Sequence, residues 1–290
     1  MLIECAIGDA YGFGFEYADM NLPLNTLERY VKHPTYGKLR PGQYTDDTQM
    51  SIAIAEALVD GVSWAPYPLA QKFVEVFKRD PRDGYSKGFQ AILESVDNGV
   101  QLIGKLNPVS DKSGAAMRAG PIGVLSDRAE VIERAQVQAC ITHNTPDGRW
   151  AACASALMTH FFLHTTHPKR ELGEWIRVWC IEAGDHTGIR WNEPWTGKVG
   201  AQGWMSVRAA ITAIQAHDTL ADILKACVAF SGDVDTVAAI ALSAASCSPT
   251  IGKVLPRALV DGLEAGPYGG QYLRQLDARL LTYLAAGRTR

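Results

Sequence analysis

The sequence contains no long apolar run and no targeting signal at its start. No apolar stretch reaches the roughly 20 residues that a membrane-spanning helix needs, so we expect no membrane span. The first residues lack the basic region and the cleavage site of a signal peptide. We therefore expect a cytoplasmic protein with no membrane partner.

Paired cysteines and clustered basic residues are also missing. The six cysteines form no C-x-x-C pair, and most lie among apolar residues, which predicts reduced thiols that pack as small hydrophobic groups. The 28 basic and 31 acidic residues give a net charge of −3. Because binding to a phosphate backbone depends on clustered Lys and Arg, this balance argues against a long nucleic acid as a partner.

Neither common nucleotide-binding glycine motif occurs, since the chain contains no G-x-G-x-x-G and no G-x-x-x-x-G-K-[ST]. Strand patterns do not alternate with helical ones. The apolar spacing instead predicts helices at 51–61, 67–81, 129–143, 149–164, 169–184, 203–217, 219–232, 235–248 and 272–287. Two of these, 149–164 and 235–248, are apolar all round and should lie at the centre. We predict a single all-α domain over residues 1–290.

Two acidic clusters lie at the N-termini of apolar helices. Thr45, Asp46, Asp47 and Thr48 precede the helix at 51–61, and "GDVDT" at 232–236 precedes the helix at 235–248. One interpretation is helix capping, because Asp and Thr side chains accept the free backbone N–H groups of a first turn. A single cap, however, needs only one such residue.

The second interpretation is a metal site shared between the N-termini of the two helices. Carboxylates that crowd together in a buried place repel one another, and a bound cation relieves the repulsion. Carboxylate and hydroxyl oxygens suit Mg²⁺, Mn²⁺ or Ca²⁺ better than Zn²⁺. Four aspartates and two threonines are enough for two such ions.

At this point the chain resembles the ADP-ribosylglycohydrolases, typified by dinitrogenase reductase-activating glycohydrolase. Six segments carry the resemblance in the family's order: "GDAYGFGFE" (8–16), "YTDDTQM" (44–50), "GAAMRAGPIGVL" (114–125), "THNTPDG" (142–148), "GWMSVRAAITAI" (203–214) and "GDVDTVAAIA" (232–241). The resemblance implies an orthogonal all-α helical bundle with a binuclear Mg²⁺ or Mn²⁺ centre. It also implies hydrolysis of the bond between C1″ of ADP-ribose and an acceptor.

Carried over by position, the resemblance assigns metal ligands and catalytic groups. The ligands would be Thr45, Asp46, Asp47, Asp233, Asp235 and Thr236. Glu16 would handle protons at the anomeric carbon, with Asp46, Asp47 and Asp233 also counted in the catalytic centre. Asp9 is expected to order its own segment rather than to react.

The resemblance also implies a set of substrate-binding residues. These are Ser110, Asp111, Ser113, Gly114, Met117, Arg118, His143, Tyr85 and Trp204. Each has a structural alternative: Arg118 could hold its loop to the protein, His143 could be structural, and the aromatic rings of Tyr85 and Trp204 could fill the core rather than stack on adenine.

The acceptor of the ADP-ribose stays open at this stage. Arginine on an ADP-ribosylated protein is our first expectation, and serine, poly-ADP-ribose, a small molecule and a nucleotide are alternatives. Two rival functions also remain: a metal-dependent hydrolase of nucleotide phosphates, and a binder of ADP-ribose without activity. We expect a monomer.

Overall fold

The computed structural model describes residues 1–287, and helices account for its regular structure. Within this range the only β-type pairings are four isolated bridges. The α-helices, numbered in chain order, are α1 (Leu2–Phe13), α2 (Asp46–Val59), α3 (Pro66–Arg79), α4 (Lys87–Glu94), α5 (Gly99–Lys105), α6 (Gly114–Met117), α7 (Arg128–Cys140), α8 (Pro146–His164), α9 (Leu172–Glu182), α10 (Gly203–Ala216), α11 (Leu220–Ala229), α12 (Val234–Ala245), α13 (Arg257–Gly262) and α14 (Gly270–Gly287). Short 3₁₀ helices span Asp19–Leu24, Gly120–Val124 and Lys169–Glu171.

The predicted all-α class is therefore confirmed. That the chain forms one domain over 1–290 stays a prediction, and its last three residues lie outside the described range. In the described part of the chain, no helix combines the length and apolarity that crossing a membrane requires.

Helix α12 occupies the centre of the protein. All twelve of its residues are buried, and α1, α8, α10 and α11 pack around it. Helix α8 is also buried along most of its length, as its lack of charge predicted. An apolar helix without a polar face is stable only when other helices cover every side of it, and this arrangement supplies that cover.

Helices α1 and α12 approach each other more closely than ordinary side chains allow. A β-carbon built on Gly8 would lie 2.6 Å from the backbone oxygen of Ala238, and one built on Gly12 would lie 2.5 Å from the Cα of Asp235. The two glycines are four residues apart and so share one helix face. Gly8 meets the later residue of α12 and Gly12 the earlier one, so the helices are antiparallel. The end of α1 therefore meets the start of α12.

The boundaries differ from the predicted ones where polar residues begin or end a helix. Helix α2 begins five residues earlier than predicted, because Thr45 caps it by accepting the backbone N–H of Asp47 at 3.4 Å. Helix α7 ends at Cys140 rather than at 143. Beyond it the backbone N–H of Asn144 donates to the carbonyl of Pro108 at 2.6 Å, and this bond draws the chain away from the helix axis.

The contact between α1 and α12 gives a test of stability. We expect Gly12→Ala to lower the free energy of unfolding by about 1–3 kcal/mol, because the added methyl group meets backbone atoms that have no room to yield. Urea unfolding followed by circular dichroism measures the change.

Gly104→Ala in α5 is the matched control. A β-carbon at Gly104 has no atom within 4 Å, so this variant should be unchanged or up to about 1 kcal/mol more stable. Equal losses in the two variants would contradict the proposed role of the close approach.

Candidate active site

The junction of α1 and α12 brings three carboxylates together. Glu16 follows the end of α1, while Asp233 and Asp235 lie at the start of α12. One oxygen from each of the three carboxylates lies within 4.8 Å of the other two. The backbone N–H of Tyr17 donates to the carbonyl of Gly232 at 2.9 Å, and this bond ties the Glu16 segment to the start of α12.

A fourth carboxylate, Asp9 of α1, holds the start of α2. Asp9 is fully buried and accepts hydrogen bonds from the backbone N–H and the hydroxyl of both Thr45 and Thr48, with the hydroxyl bonds at 2.8 and 2.6 Å. The expectation that Asp9 orders the structure agrees with these contacts. Two of its four bonds satisfy backbone N–H groups at the start of α2, which have no partner within the helix.

Asp46 and Asp47 occupy the first turn of α2. Neither caps the helix, because Thr45 and Asp9 bind the free N–H groups there. Gly84 lies against Asp46: a β-carbon there would be 2.3 Å from the Asp46 Oδ1, and its φ of +117° is a conformation that favours glycine. Gly84 therefore allows the loop before α4 to close over this carboxylate.

The site concentrates negative charge in a buried place. Burial raises the pKa of Glu16 to about 8, and the neighbouring Asp233 and Asp46 carboxylates add to the increase. Burial and the nearby Asp9 likewise raise the pKa of Asp46 to about 8. The pKa values of Asp47 and Asp235 are raised well above the usual carboxyl range, first by burial and then by neighbouring acids.

The donor set fits divalent cations. Asp47 and Asp235 each have one buried carboxylate oxygen, Oδ1, without a hydrogen-bond partner. Among residues 1–287, none of the carboxylates of this group forms an ion pair; the group is Asp9, Glu16, Asp46, Asp47, Asp233 and Asp235. Buried charges need a partner or a metal, and hard oxygen donors suit Mg²⁺ or Mn²⁺.

These carboxylates lie at a cavity of about 860 Å³, which is within the usual size range of small-molecule sites. Glu16, Asp46, Asp47, Asp233 and Asp235 all line it. The rest of the lining includes four lysines and two exposed tyrosines: Lys38, Lys87, Lys105, Lys112, Tyr17 and Tyr36. The cavity therefore offers an acidic region and several positive charges to one ligand.

Most predicted substrate-binding residues also line the cavity. These are Tyr85, Ser110, Ser113, Gly114, Met117, Arg118 and His143, together with Thr236 of the predicted metal set. The Tyr85 hydroxyl donates to the Gln49 Oε1 at 2.6 Å, and its ring packs edge-on against Phe77 and Phe89. Packing fixes the orientation of this ring at the cavity wall.

Three predicted residues lie outside the cavity lining. Trp204 packs against Trp195, with ring centroids 5.7 Å apart. Asp111 uses its backbone carbonyl to accept the N–H of Gly203. The Thr45 hydroxyl donates to Asp9. The positions of Trp204 and Asp111 give no support to substrate contact, and Thr45 mainly joins α1 to α2.

Sequence reasoning missed two contacts of the acidic cluster. Ser206 of α10 donates its hydroxyl to Asp233 Oδ2 at 3.3 Å, and Gly84 makes the close approach to Asp46. The Asp-Gly pair at 83–84 is a turn signal in the sequence. Nothing local to "GWMSV" (203–207), however, indicates that its serine faces an aspartate far along the chain.

Comparison with known proteins agrees with this architecture. Residues 1–289 match the model of the ADP-ribosylglycohydrolase family, and the chain belongs to that family. The resemblance noted from the sequence is thereby confirmed. A solved structure titled "ADP-ribosylglycohydrolase-related protein complex" superposes with a TM-score of 0.70 at 19% identity, covering 99% of this chain and 96% of that one. This second match supports the fold.

Three curated relatives show different degrees of coverage. ADP-ribosylhydrolase ARH3 of Xenopus tropicalis is 28% identical over 56% of this chain and 49% of its own length. ADP-ribosylarginine hydrolase Tri1 of Serratia proteamaculans is 22% identical over 82% of this chain and 67% of its own. ADP-ribosyl-[dinitrogen reductase] glycohydrolase of Rhodospirillum rubrum is 26% identical over 81% and 80%. The chain thus spans about half the length of the ARH3 relative.

The raised carboxyl pKa values predict how stability depends on pH and on a metal. Between about pH 4 and pH 8 the Glu16 and Asp46 carboxyl groups bind more protons in the folded protein without metal than in the unfolded chain, so their contribution to the free energy of unfolding falls as the pH rises. Mg²⁺ or Mn²⁺ needs ionised ligands. We therefore expect either ion to raise the melting temperature more at pH 8 than at pH 6, as scanning fluorimetry can measure.

The variant Asp235→Asn sharpens this test. It should lose most of the metal-induced rise yet melt no lower than the wild-type protein in EDTA at pH 8, because it removes a repelled charge. Asp261→Asn, which changes an exposed carboxylate away from the cavity, should keep the wild-type response. A full metal response from Asp235→Asn would refute the ligand assignment.

Proposed function

We propose that this chain is a metal-dependent hydrolase that cleaves the glycosidic bond between ADP-ribose and an arginine side chain of a protein. The observation that carries the proposal is the cluster of buried carboxylates, with unpartnered oxygens, beside Glu16 in the large cavity. Family membership and the names of the three relatives support the reaction class.

The charges of the cavity match the two ends of an ADP-ribose group. Lys38, Lys87 and Lys112 would supply positive charge for the diphosphate, whereas the Lys105 ammonium donates to Ser95 outside the cavity lining. The acidic end favours the positive charge that develops on the distal ribose when its C1″ bond breaks. Asp46, Asp47, Asp233, Asp235 and Thr236 would hold two Mg²⁺ or Mn²⁺ ions. Such ions, when bound, orient substrate oxygens and assist ionisation of water.

Glu16 is the group best placed to move a proton. It lines the cavity beside Asp233 and Asp235, and a carboxyl group in that position can take up or release a proton. In the hydrolysis, water adds to C1″, the bond to the acceptor nitrogen breaks, and the acceptor leaves with a proton. Glu16 would take the proton from water or deliver it to the acceptor.

Two exposed aromatic rings at the cavity favour arginine as the acceptor. Tyr17 is 50% exposed and Tyr36 is 52% exposed, and both line the cavity with Glu16. A guanidinium group stacks on aromatic rings, whereas a serine side chain gains little from them. One side of the Tyr36 ring is fixed by packing against Phe13 and His33.

The first experiment measures release of free ADP-ribose from arginine-ADP-ribosylated protein, with Mg²⁺ or Mn²⁺ and then with EDTA. We expect metal-dependent release, and Glu16→Gln should slow it by about 10²–10⁴-fold because a general acid–base group is lost. Glu28→Gln, at an exposed position that does not line the cavity, is the control.

The same assay separates the rival functions. Phosphate release without ADP-ribose would indicate a hydrolase of nucleotide phosphates. Binding of ADP-ribose without hydrolysis of any conjugate would indicate a binding protein. A serine-linked substrate, measured in parallel, tests the acceptor, and faster release from serine would overturn the arginine assignment.

The tyrosines give a separate prediction for acceptor choice. Tyr36→Leu should raise KM for the arginine-linked substrate by about 2- to 30-fold, the range expected for a lost cation–π contact, with little change in affinity for free ADP-ribose. Tyr67→Leu removes an exposed tyrosine of α3 that does not line the cavity and should change neither value. An unchanged KM in Tyr36→Leu would exclude this ring from acceptor binding.

A further inference from the structure

A chain of hydrogen bonds leads from the buried interior to His143 at the cavity. Arg118 donates through Nε to the Gln138 Oε1 at 2.5 Å, and through Nη2 to the Thr142 hydroxyl at 2.8 Å. The Thr142 hydroxyl lies 2.7 Å from Nδ1 of His143. All four side chains are buried, and His143, Thr142 and Arg118 line the cavity.

In the first hydrogen bonds of this series, the donor and the acceptor are fixed. Arginine has only donors, so the Gln138 side-chain oxygen and the Thr142 hydroxyl oxygen must accept from Arg118. The amide nitrogen of Gln138 donates to the Ala115 carbonyl at 3.0 Å, and this bond fixes which way the amide points. A backbone acceptor therefore sets the orientation at the interior end.

The Thr142 hydroxyl extends the same donor-to-acceptor order to His143. A threonine hydroxyl has one proton to donate. Among the described residues, the Thr142 oxygen is hydrogen-bonded only to Arg118 and His143. Since Arg118 occupies it as a donor, the hydroxyl proton is satisfied by pointing at His143 Nδ1. A neutral histidine whose Nδ1 accepts carries its own proton on Nε2.

His143 is neutral in this setting. Burial and the nearby Arg118 charge lower the pKa of His143 to about 3. The opposite edge of its ring stays open because residue 114 is glycine: a β-carbon there would lie 2.9 Å from Cε1 and 3.2 Å from Nε2. The Nε2–H edge and Gly114 thus lie side by side at the cavity wall.

We propose that Arg118 and Thr142 are positioning residues that fix His143 as the Nε2–H tautomer, so that it donates a hydrogen bond to an oxygen of the ADP-ribose group. The proposal rests on ADP-ribose being the ligand, as in the proposed function. The other tautomer would present a lone pair to the phosphate oxygens, which only accept hydrogen bonds, and two acceptors facing each other repel.

The test combines NMR with two threonine variants. In protein labelled with ¹⁵N-histidine, the His143 resonances, assigned by their loss in His143→Asn, should show a protonated Nε2 and an unprotonated Nδ1. Thr142→Val keeps the shape but removes the hydroxyl. It should mix the two tautomers and weaken ADP-ribose binding, measured by calorimetry, by about 3- to 30-fold. Thr142→Ser keeps the hydroxyl and should restore both properties.

Each outcome decides the matter without the hydrolysis assay. A wild-type His143 protonated on Nδ1 would overturn the proposal, even if Thr142→Val failed to fold. So would a Thr142→Val protein that binds ADP-ribose as the wild type does. If the tautomer and the binding respond as expected but no arginine conjugate is cleaved, the proposed reaction fails while the positioning role stands. Failure of ADP-ribose to bind the wild-type protein would overturn both.

Discussion

The close approach of α1 to α12 is the constraint on which the site depends. Gly8 and Gly12 let the two backbones touch, and their antiparallel arrangement places Glu16 beside the start of α12. An adjoining face of α1 carries Asp9, which binds the start of α2. Helix α1 therefore sets the distance between the N-termini of α2 and α12. A side chain at either glycine would separate the groups that must act on one ligand.

Burial of so many acids is a cost that the surrounding structure has to offset. Acids in a place shielded from water destabilise the folded state, and their raised pKa values express first this burial and then, for Glu16 and Asp46, repulsion by neighbouring acids. The stability comes from elsewhere, chiefly from the apolar packing around α12 and α8. Proteins commonly tolerate such strain at functional sites, because the same arrangement binds a cation or a charged transition state.

The sequence allowed prediction of the parts that are local in the chain. Helices α8 and α12 were recognisable because their apolar character is continuous, and the acidic motifs because their residues are adjacent. The bond from Ser206 to Asp233 and the fit of Gly84 against Asp46 were not predictable. Those contacts join segments far apart in the chain, and only the folded structure makes them neighbours. Trp204 shows the converse, because a motif residue packs against Trp195 instead of lining the cavity.

The N-terminus of α2 shows how helix capping and metal binding, the two interpretations of its acidic motif, can both hold. Capping and ligand binding would compete if one side chain had to do both, because an oxygen that accepts a backbone N–H has less capacity left for a cation. The structure separates them: Thr45 and Asp9 accept the free N–H groups, so that Asp46 and Asp47 need not. The partnerless Asp47 Oδ1 follows from this division. A carboxylate supplied by α1 thus keeps those of α2 available to the cavity.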